Sequence, residues 1–197
     1  MRVIGLTGGI ACGKSTVSDI LRSFGAAIID ADALAHALAE PGRPLYQAYV
    51  AHWGKGILTE EGALDRRRIG AIVFQDDSER AWLNDTAQPI LYHEACKRLH
   101  ALQAEGAATV ILDAPLLLEA GWDRLTDEIW VVFIPRALQL QRLMARDHYT
   151  EAEALHRVDS QMTMEERLRR ADVVIDNRGT EMELRQRVYE AFHRKVV

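Results

Sequence analysis

The sequence predicts an α/β protein: a doubly wound parallel sheet of about five strands, carrying a helical insertion and a helical lid. Three observations lead there. Short apolar, β-branched runs alternate with stretches of helical periodicity, which is the pattern of a parallel sheet covered on both faces. The first such run opens directly into a glycine-rich turn and then a helix. The segment 44–106, in contrast, shows helical pattern and no convincing strand.

Arg2 to Leu6 is the first buried strand. A helix follows from about Lys14 to Phe24, with Val17, Ile20, Leu21 and Phe24 on one face, and Gly25 ends it. Ala26 to Ile29 is a second strand stopping at Asp30. Ala31 to Ala39 is helical until Pro41-Gly42 breaks it. Beyond Pro44, glycines 54, 56 and 62 mark turns. Arg66 to Phe74 is a short helix, and a longer one runs through Trp82 to Ala104, with Pro89 expected to start or kink a helix. Strands resume at Thr109 to Leu112, ending in Asp113, and at Ile129 to Ile134, closed by Pro135. Arg136 to His148 and Met164 to Arg170 are helical. The last strand, 172–175, precedes Asn177 and a C-terminal helix from about Glu181. These elements divide the chain into a core, 1–40 and 107–197, with a lid at about 136–165, and an insertion, 41–106.

Composition narrows the function classes. The chain has 197 residues, 48% hydrophobic and 27% charged, with 24 Lys+Arg against 29 Asp+Glu and a net charge of −5. An acidic chain argues against a nucleic-acid partner, because that affinity comes mainly from neutralising phosphates. Cys12 and Cys96 make no disulfide framework and fit a reducing, cytoplasmic setting. No apolar run approaches the roughly 18 residues of a membrane span, and the first residues reach a glycine turn too soon for a secretory leader. A soluble, cytoplasmic monomer without a membrane or nucleic-acid partner is expected.

Gly8-Gly9-Ile10-Ala11-Cys12-Gly13-Lys14-Ser15 fits G-x-x-x-x-G-K-S/T at every fixed position, between a strand and a helix as the motif requires. Glycines let the backbone curl so that successive N–H groups point at phosphate oxygens, and the helix start adds its positive dipole end. Lys14 reaches the β- and γ-phosphates, and the Ser15 hydroxyl ligates Mg²⁺. The chain is therefore expected to bind a nucleoside triphosphate on a P-loop NTPase-like core. Guanine-recognition and transport-ATPase signatures are absent from the sequence. Asp113 is either a Walker-B-like carboxylate or a cap for the turn before Pro115. Asp30 and Asp32 follow the second strand, where the carboxyl ends of strands meet ligand. Two positions apart, one suits an acceptor hydroxyl and its proton, and the other caps the next helix.

Further residues carry a family resemblance. The opening 5–16 resembles that of dephospho-CoA kinases, as do Ile29-Asp30-Ala31-Asp32 with Glu40-Pro41-Gly42, then Leu64-Asp65-Arg66, Val73-Phe74, Leu83-Asn84, 115–119, 139–143, Arg146-Asp147, Gln161 and 171–177. The resemblance implies ATP-dependent phosphorylation of the ribose 3′-hydroxyl of dephospho-coenzyme A, the last step of coenzyme A synthesis, with Mg²⁺ as cofactor and ATP and dephospho-CoA as substrates. It implies that Asp32 is the general base and that Lys14, Arg142 and Arg146 neutralise the transferring phosphoryl group. The ATP site would comprise Gly8, Gly9, Ile10, Ala11, Cys12, Gly13, Lys14, Ser15, Thr16, Arg142 and Arg146, with Asn177 and Gly179 near the adenine. The acceptor site would comprise Thr7, Asp32, His36, Arg66, Pro115, Leu116 and Leu117, with the insertion binding the coenzyme. The alternatives are another P-loop kinase of a nucleotide or small metabolite, and a non-catalytic ATP-binding switch.

The chain departs from the family pattern at several places. Ala11-Cys12 stand where Gly-Ser is usual, so residue 11 must keep a negative φ or accept strain. A helix N-terminus lowers a nearby thiol's pKa, so Cys12 is expected to be oxidation-sensitive. His36 stands where Arg is frequent, Gln88 precedes Pro89 where His is frequent, and Thr163 and Arg167 replace a Pro-x-x-x-Lys pattern. The arginines between 136 and 170 suit an anionic ligand; Arg169 and Arg170 are expected at the surface. The seven histidines have no metal spacing. The four tryptophans are read as packing residues.

Overall fold

The computed structural model describes residues 1–194. In chain order the elements are β1 (Arg2–Gly8), α1 (Lys14–Ser23), β2 (Ala27–Asp30), α2 (Ala31–Leu38), α3 (Pro44–Trp53), α4 (Arg66–Gln75), α5 (Asp77–Ala104), β3 (Thr109–Asp113), β4 (Glu128–Phe133), α6 (Arg136–Asp147), α7 (Glu151–Asp159), α8 (Met164–Arg169), β5 (Val173–Asp176) and α9 (Glu181–His193). Two short 3₁₀ helices, Gly54–Ile57 and Trp122–Leu125, complete them. The chain forms two compact units, one of residues 1–29 and 101–197 and one of residues 30–100.

The five strands form one sheet in the order β2-β3-β1-β4-β5. β1 runs parallel to β3 and to β4, and β4 parallel to β5. A central strand is covered on both faces, so β1 shows no polar–apolar alternation: every residue from Val3 to Gly8 is buried. The register sets Leu6 beside Asp113 and Gly8 beside Val132, so the carboxyl ends of β1, β3 and β4 finish together where the glycine-rich loop begins. The core of this unit joins Ile4, Leu6, Ile111, Trp130 and Val132 of the sheet to Val17, Ile20 and Leu21 of α1 and Leu184 and Val188 of α9. Phe24 packs against it edge-on to Tyr189.

The second unit is helical, with one isolated antiparallel bridge between Leu58 and Leu64. Asp65 caps α4 by accepting from the Arg67 and Arg68 amides. Tyr49, His52, Trp53 and Trp82 form an aromatic cluster, with His52 stacked on Trp82 at 3.6 Å between ring centroids. Glu79 accepts from Trp53 Nε1 and pairs with His52, which holds its carboxyl below the usual range. Trp122 and Trp130 are buried in the first unit, so the tryptophans pack as expected.

The helices differ from expectation at two places. Pro89 starts no helix: it lies inside α5, which runs through Trp82 to Ala104 as expected. The ring removes one donor, but Ala87, Leu91, Ala95 and Leu99 repeat at helical spacing and are buried, so the packed stripe carries the helix across the lost bond. Helix α7 is additional to the elements expected from sequence. Only its Ala154 is buried, which left little periodicity to see.

Candidate active site

Between β1 and α1 the chain curls through Gly9 to Gly13. Gly13 is the N-cap of α1 at φ 86°, and an added Cβ there would collide with the Asn177 side chain. No side chain caps α1 and its first turn holds no acidic residue, so the first amides of the helix have no side chain competing for them. Ala11 lies at φ 60°. The loop has therefore taken the strained alternative: a Cβ sits in the left-handed region that glycine occupies freely.

Distant parts of the chain hold this curl. The Ile10 N–H donates to Gln161 Oε1 at 2.8 Å, and the Ile10 carbonyl accepts from Gln139 Nε2 at 2.9 Å. Asn177, buried at the end of β5, donates from Nδ2 to the Cys12 carbonyl at 2.8 Å, and its own carbonyl accepts from Arg142 at 3.0 Å. Lys14 Nζ forms an ion pair with Asp113, which is 3% exposed at the end of β3. Ser15 and Thr16 are exposed on the first turn of α1.

Behind the loop, Arg167 of α8 is fully buried. Its guanidinium donates to Thr7 Oγ1 at 3.0 Å, to the Pro115 carbonyl at 3.3 Å and to Glu119 at 2.5 Å. A buried arginine is tolerated only when its charge is paired and its donors are used, and both conditions hold here. Thr7 is completely enclosed and donates to the Pro115 carbonyl, so it shapes the turn that holds Pro115, Leu116 and Leu117. Leu117 is buried and Leu116 is 40% exposed. A cavity of about 230 Å³ lies alongside, lined by Gly9, Gln139, Gln161, Met162 and Arg167 among others.

One expectation is overturned. The Cys12 thiol does not face the helix start: it is 1% exposed and packs into the core with Val17 and Trp130. Burial pushes its pKa up to about 11, outweighing the lowering effect of its hydrogen bonds and of Arg167 and Arg142. A thiol that stays protonated and enclosed is not the oxidation-sensitive group the motif suggested.

The other expected site residues fall as follows. Gly8 ends β1, and Gly9 leaves room for Gln139, whose Nε2 would lie 2.6 Å from an added Cβ. Arg142 is half-buried beside Asn177; Arg146 is exposed and pairs with Asp147. Gly179 is exposed in the link from β5 to α9. Arg169 and Arg170 are at the surface, paired with Glu165 and Asp123. In the other unit, Asp30 caps α2 by accepting from the Asp32 and Ala33 amides, and Asp32 is exposed with no side-chain partner among the described residues. There also, Arg66 donates to His36 Nε2 at 2.6 Å. A guanidinium has only donors, so His36 accepts through a neutral ring nitrogen.

Sequence reasoning quoted Gln139 and Gln161 without a role and gave Arg167 none beyond the arginine excess. Their partners lie far away in sequence; for Gln139 and Arg167 the available signal was a polar residue buried on a helix face, and Gln161, in the link between α7 and α8, left none. Among the described residues no cluster of three His, Cys, Asp or Glu is poised for a metal. Mg²⁺ needs no such cluster, since it keeps waters and takes one or two protein oxygens together with phosphate. Ser15 and Asp113 supply hard oxygens of that kind, so these residues fit it.

A strand-ended glycine loop on this strand order, opening a bare helix start, is the build of P-loop kinases. The backbone agrees: shikimate kinase from Acinetobacter baumannii, in complex with shikimate, superposes with TM-score 0.55 over 98% of this chain and 93% of that one, at 18% identity. The sequence narrows the class. The family model for dephospho-CoA kinase matches residues 2–183. A dephospho-CoA kinase of Carboxydothermus hydrogenoformans is 47% identical over 186 residues, 94% of this chain and 90% of that one. The solved dephospho-CoA kinase from Campylobacter jejuni has TM-score 0.74 at 30% identity, covering 98% of this chain and 96% of that one. The chain belongs to the dephospho-CoA kinase family and is a kinase of coenzyme A biosynthesis.

Proposed function

We propose that the chain transfers the γ-phosphoryl group of ATP to the ribose 3′-hydroxyl of dephospho-coenzyme A, with Asp32 as the base and the 9–16 loop as the phosphate cradle. The observation that carries this reading is the bare, glycine-capped start of α1 with Lys14 beside it, inside a chain matched to the family over residues 2–183.

In this mechanism the loop amides and Lys14 bind the β- and γ-phosphates. Lys14 exchanges its Asp113 contact for phosphate oxygens without leaving the strand end. Arg142 and Arg146 spread over the charge that grows on the equatorial oxygens. The 3′-oxygen forms its bond to the γ-phosphorus as the bond to the β–γ bridging oxygen breaks. The hydroxyl proton goes to the Asp32 carboxylate and ADP leaves. Asp32 suits the task because Asp30 takes the capping duty and leaves the neighbouring carboxylate unengaged. Mg²⁺, held by Ser15 and Asp113, would supply charge neutralisation on the phosphates. Asn177 fixes the loop while its neighbour Gly179 offers backbone near the adenine. Arg66, braced by His36, serves the acceptor in the helical insertion, 41–106; the Pro115 to Leu117 turn, braced by Thr7, is a further acceptor segment of the core; the lid, about 136–165, closes over ATP. The active species is taken to be a monomer. Two free cysteines suit a reducing cytoplasm. No described helix is long and apolar enough to cross a membrane.

A coupled ADP-release assay tests the reading. Release is expected with dephospho-CoA and absent with CoA, adenosine or AMP. Asp32→Asn is expected to lower kcat at least a hundredfold, on the scale of lost base catalysis, with ATP affinity nearly kept. Unchanged turnover removes Asp32 from the role of base.

A further inference from the structure

We infer that Gln161 and Gln139 are positioning residues that hold the phosphate loop in its nucleotide-ready curl, and that this clamp is required because residue 11 is alanine. The two peptide units flanking the Ile10 Cα are each fixed by one carboxamide. Gln161 Oε1 takes the Ile10 N–H and Gln139 Nε2 grips the Ile10 carbonyl. The second of those peptide units leads straight into Ala11, whose φ of 60° is one of two positive values at non-glycine residues among the described residues. Within the curl the backbone supplies one short bond of its own, from the Cys12 amide to the Gly9 carbonyl at 3.1 Å. That bond spans Ala11, and the Asn177 hold on the Cys12 carbonyl lies beyond it, which leaves the atoms of Ile10 itself to the glutamines; an L-residue leaves the left-handed region when nothing opposes it.

The clamp is built to resist that relaxation. Gln139 is 5% exposed, so its carboxamide has the Ile10 carbonyl and little water to bond. Gln161 lies in the link between α7 and α8. The enclosed Arg167 ties that link down: it donates to the Met162 carbonyl at 3.4 Å as well as to Thr7, Pro115 and Glu119. The acceptor that steadies Ile10 is thus anchored to the end of β1 on one side and the turn after β3 on the other. Neither glutamine needs to touch nucleotide. They act by keeping populated the one loop shape whose amides converge.

Population arithmetic turns this into a coupling. If the clamp is cut, Ala11 relaxes and the competent fraction falls, weakening apparent affinity by that fraction. Glycine at position 11 visits positive φ about as readily as negative, so the same cut lowers the competent fraction much less. The two positions are energetically coupled, although one is in the loop and the other on the lid side.

The inference rests on the loop being the ATP cradle, and its test separates the two. ATP binding is measured directly, by displacement of a fluorescent ATP analogue, in the full chain and in Gln161→Met, Ala11→Gly and the double variant. Methionine keeps the side chain's length and removes its acceptor. Gln161→Met is expected to weaken ATP binding about tenfold when alanine occupies position 11, and less than about threefold in the Ala11→Gly background. In the coupled assay it raises KM for ATP with KM for dephospho-CoA unchanged, a split that general loosening of the fold would not produce. Equal losses in both backgrounds, or no loss on Gln161→Met, overturn the clamp while leaving the cradle intact. Absence of ATP binding by the full chain overturns both readings.

Discussion

Helix α9 begins with Thr180, whose hydroxyl accepts from the Glu183 amide while the Glu183 carboxylate takes the Thr180 amide. Helices α7 and α8 begin with the same reciprocal pair, Thr150 with Glu153 and Thr163 with Glu166. Helix α1 begins with Gly13, which has no side chain to offer, and carries no acid in its first turn. These three helix starts are thus satisfied by residues three positions away, whereas that of α1 is left open, as are those of α3 and α6, which also lack a side-chain cap and a first-turn acid. The loop before α1 is shaped by Gln139, Gln161 and Asn177, which stand 129, 151 and 165 positions from their loop partners in sequence. The difference teaches that the start of α1 combines a withheld cap with a loop shaped from far away in the sequence. Its stability has to come from elsewhere in the fold.

The most drastic way to break the contrast is to remove the cation at the open start. Lys14→Ala is expected to lower kcat about a thousandfold or more, on the scale of lost transition-state charge stabilisation, measured in single turnover with saturating ATP. A loss under about tenfold would mean that the bare amides suffice without the lysine.

A second test asks whether the open start activates the thiol next to it. With its pKa at about 11, Cys12 ionises roughly a hundredfold less than an ordinary thiol at neutral pH. Alkylation mapped by mass spectrometry should label Cys12 of the native chain at least that much more slowly than the same residue in urea. The raised folded pKa leaves stability undisturbed below about pH 9. Stability declines between about 9 and 11, where the unfolded thiol ionises and the enclosed one does not. Fast native labelling would put the thiol back at the helix start.

The smallest effect belongs to a closed start. Thr180→Ala should cost about 1 kcal/mol of stability, seen as a lower urea midpoint, with kcat and both KM values kept. A matching loss of activity would mean that α9 reports to the loop as well as to the core.

What the sequence made legible follows the same division. The inner strands were readable because buried parallel strands are apolar throughout, as in Val3 to Leu6 and Trp130 to Val132, and the edge strands β2 and β5 because their short runs are apolar although partly exposed. The phosphate loop was readable because its residue types sit at fixed spacing. The capping duty of one of Asp30 and Asp32 was readable from spacing too; that it falls to Asp30 needed coordinates. Helix α7 escaped because one buried alanine gives no stripe, although the Thr150 to Glu153 signature was there to be read. The long helix through Trp82 to Ala104 was readable, while the place of Pro89 inside it, and not at its start, needed coordinates. The inward turn of the Cys12 thiol, the burial of Arg167 and the glutamine clamp are tertiary facts with no local trace.

Asn177 carries a consequence for how the protein comes into being. Its side chain meets the Cys12 carbonyl across 165 positions of chain, and β1 itself can pair only with strands that begin at Thr109 and Glu128. On the ribosome, where the N-terminal part emerges first, the nucleotide motif is among the earliest segments made and among the last completed. A nascent chain halted before residue 177 therefore displays the whole signature and lacks the contact that finishes it, so ATP can steady this protein only once synthesis is nearly over.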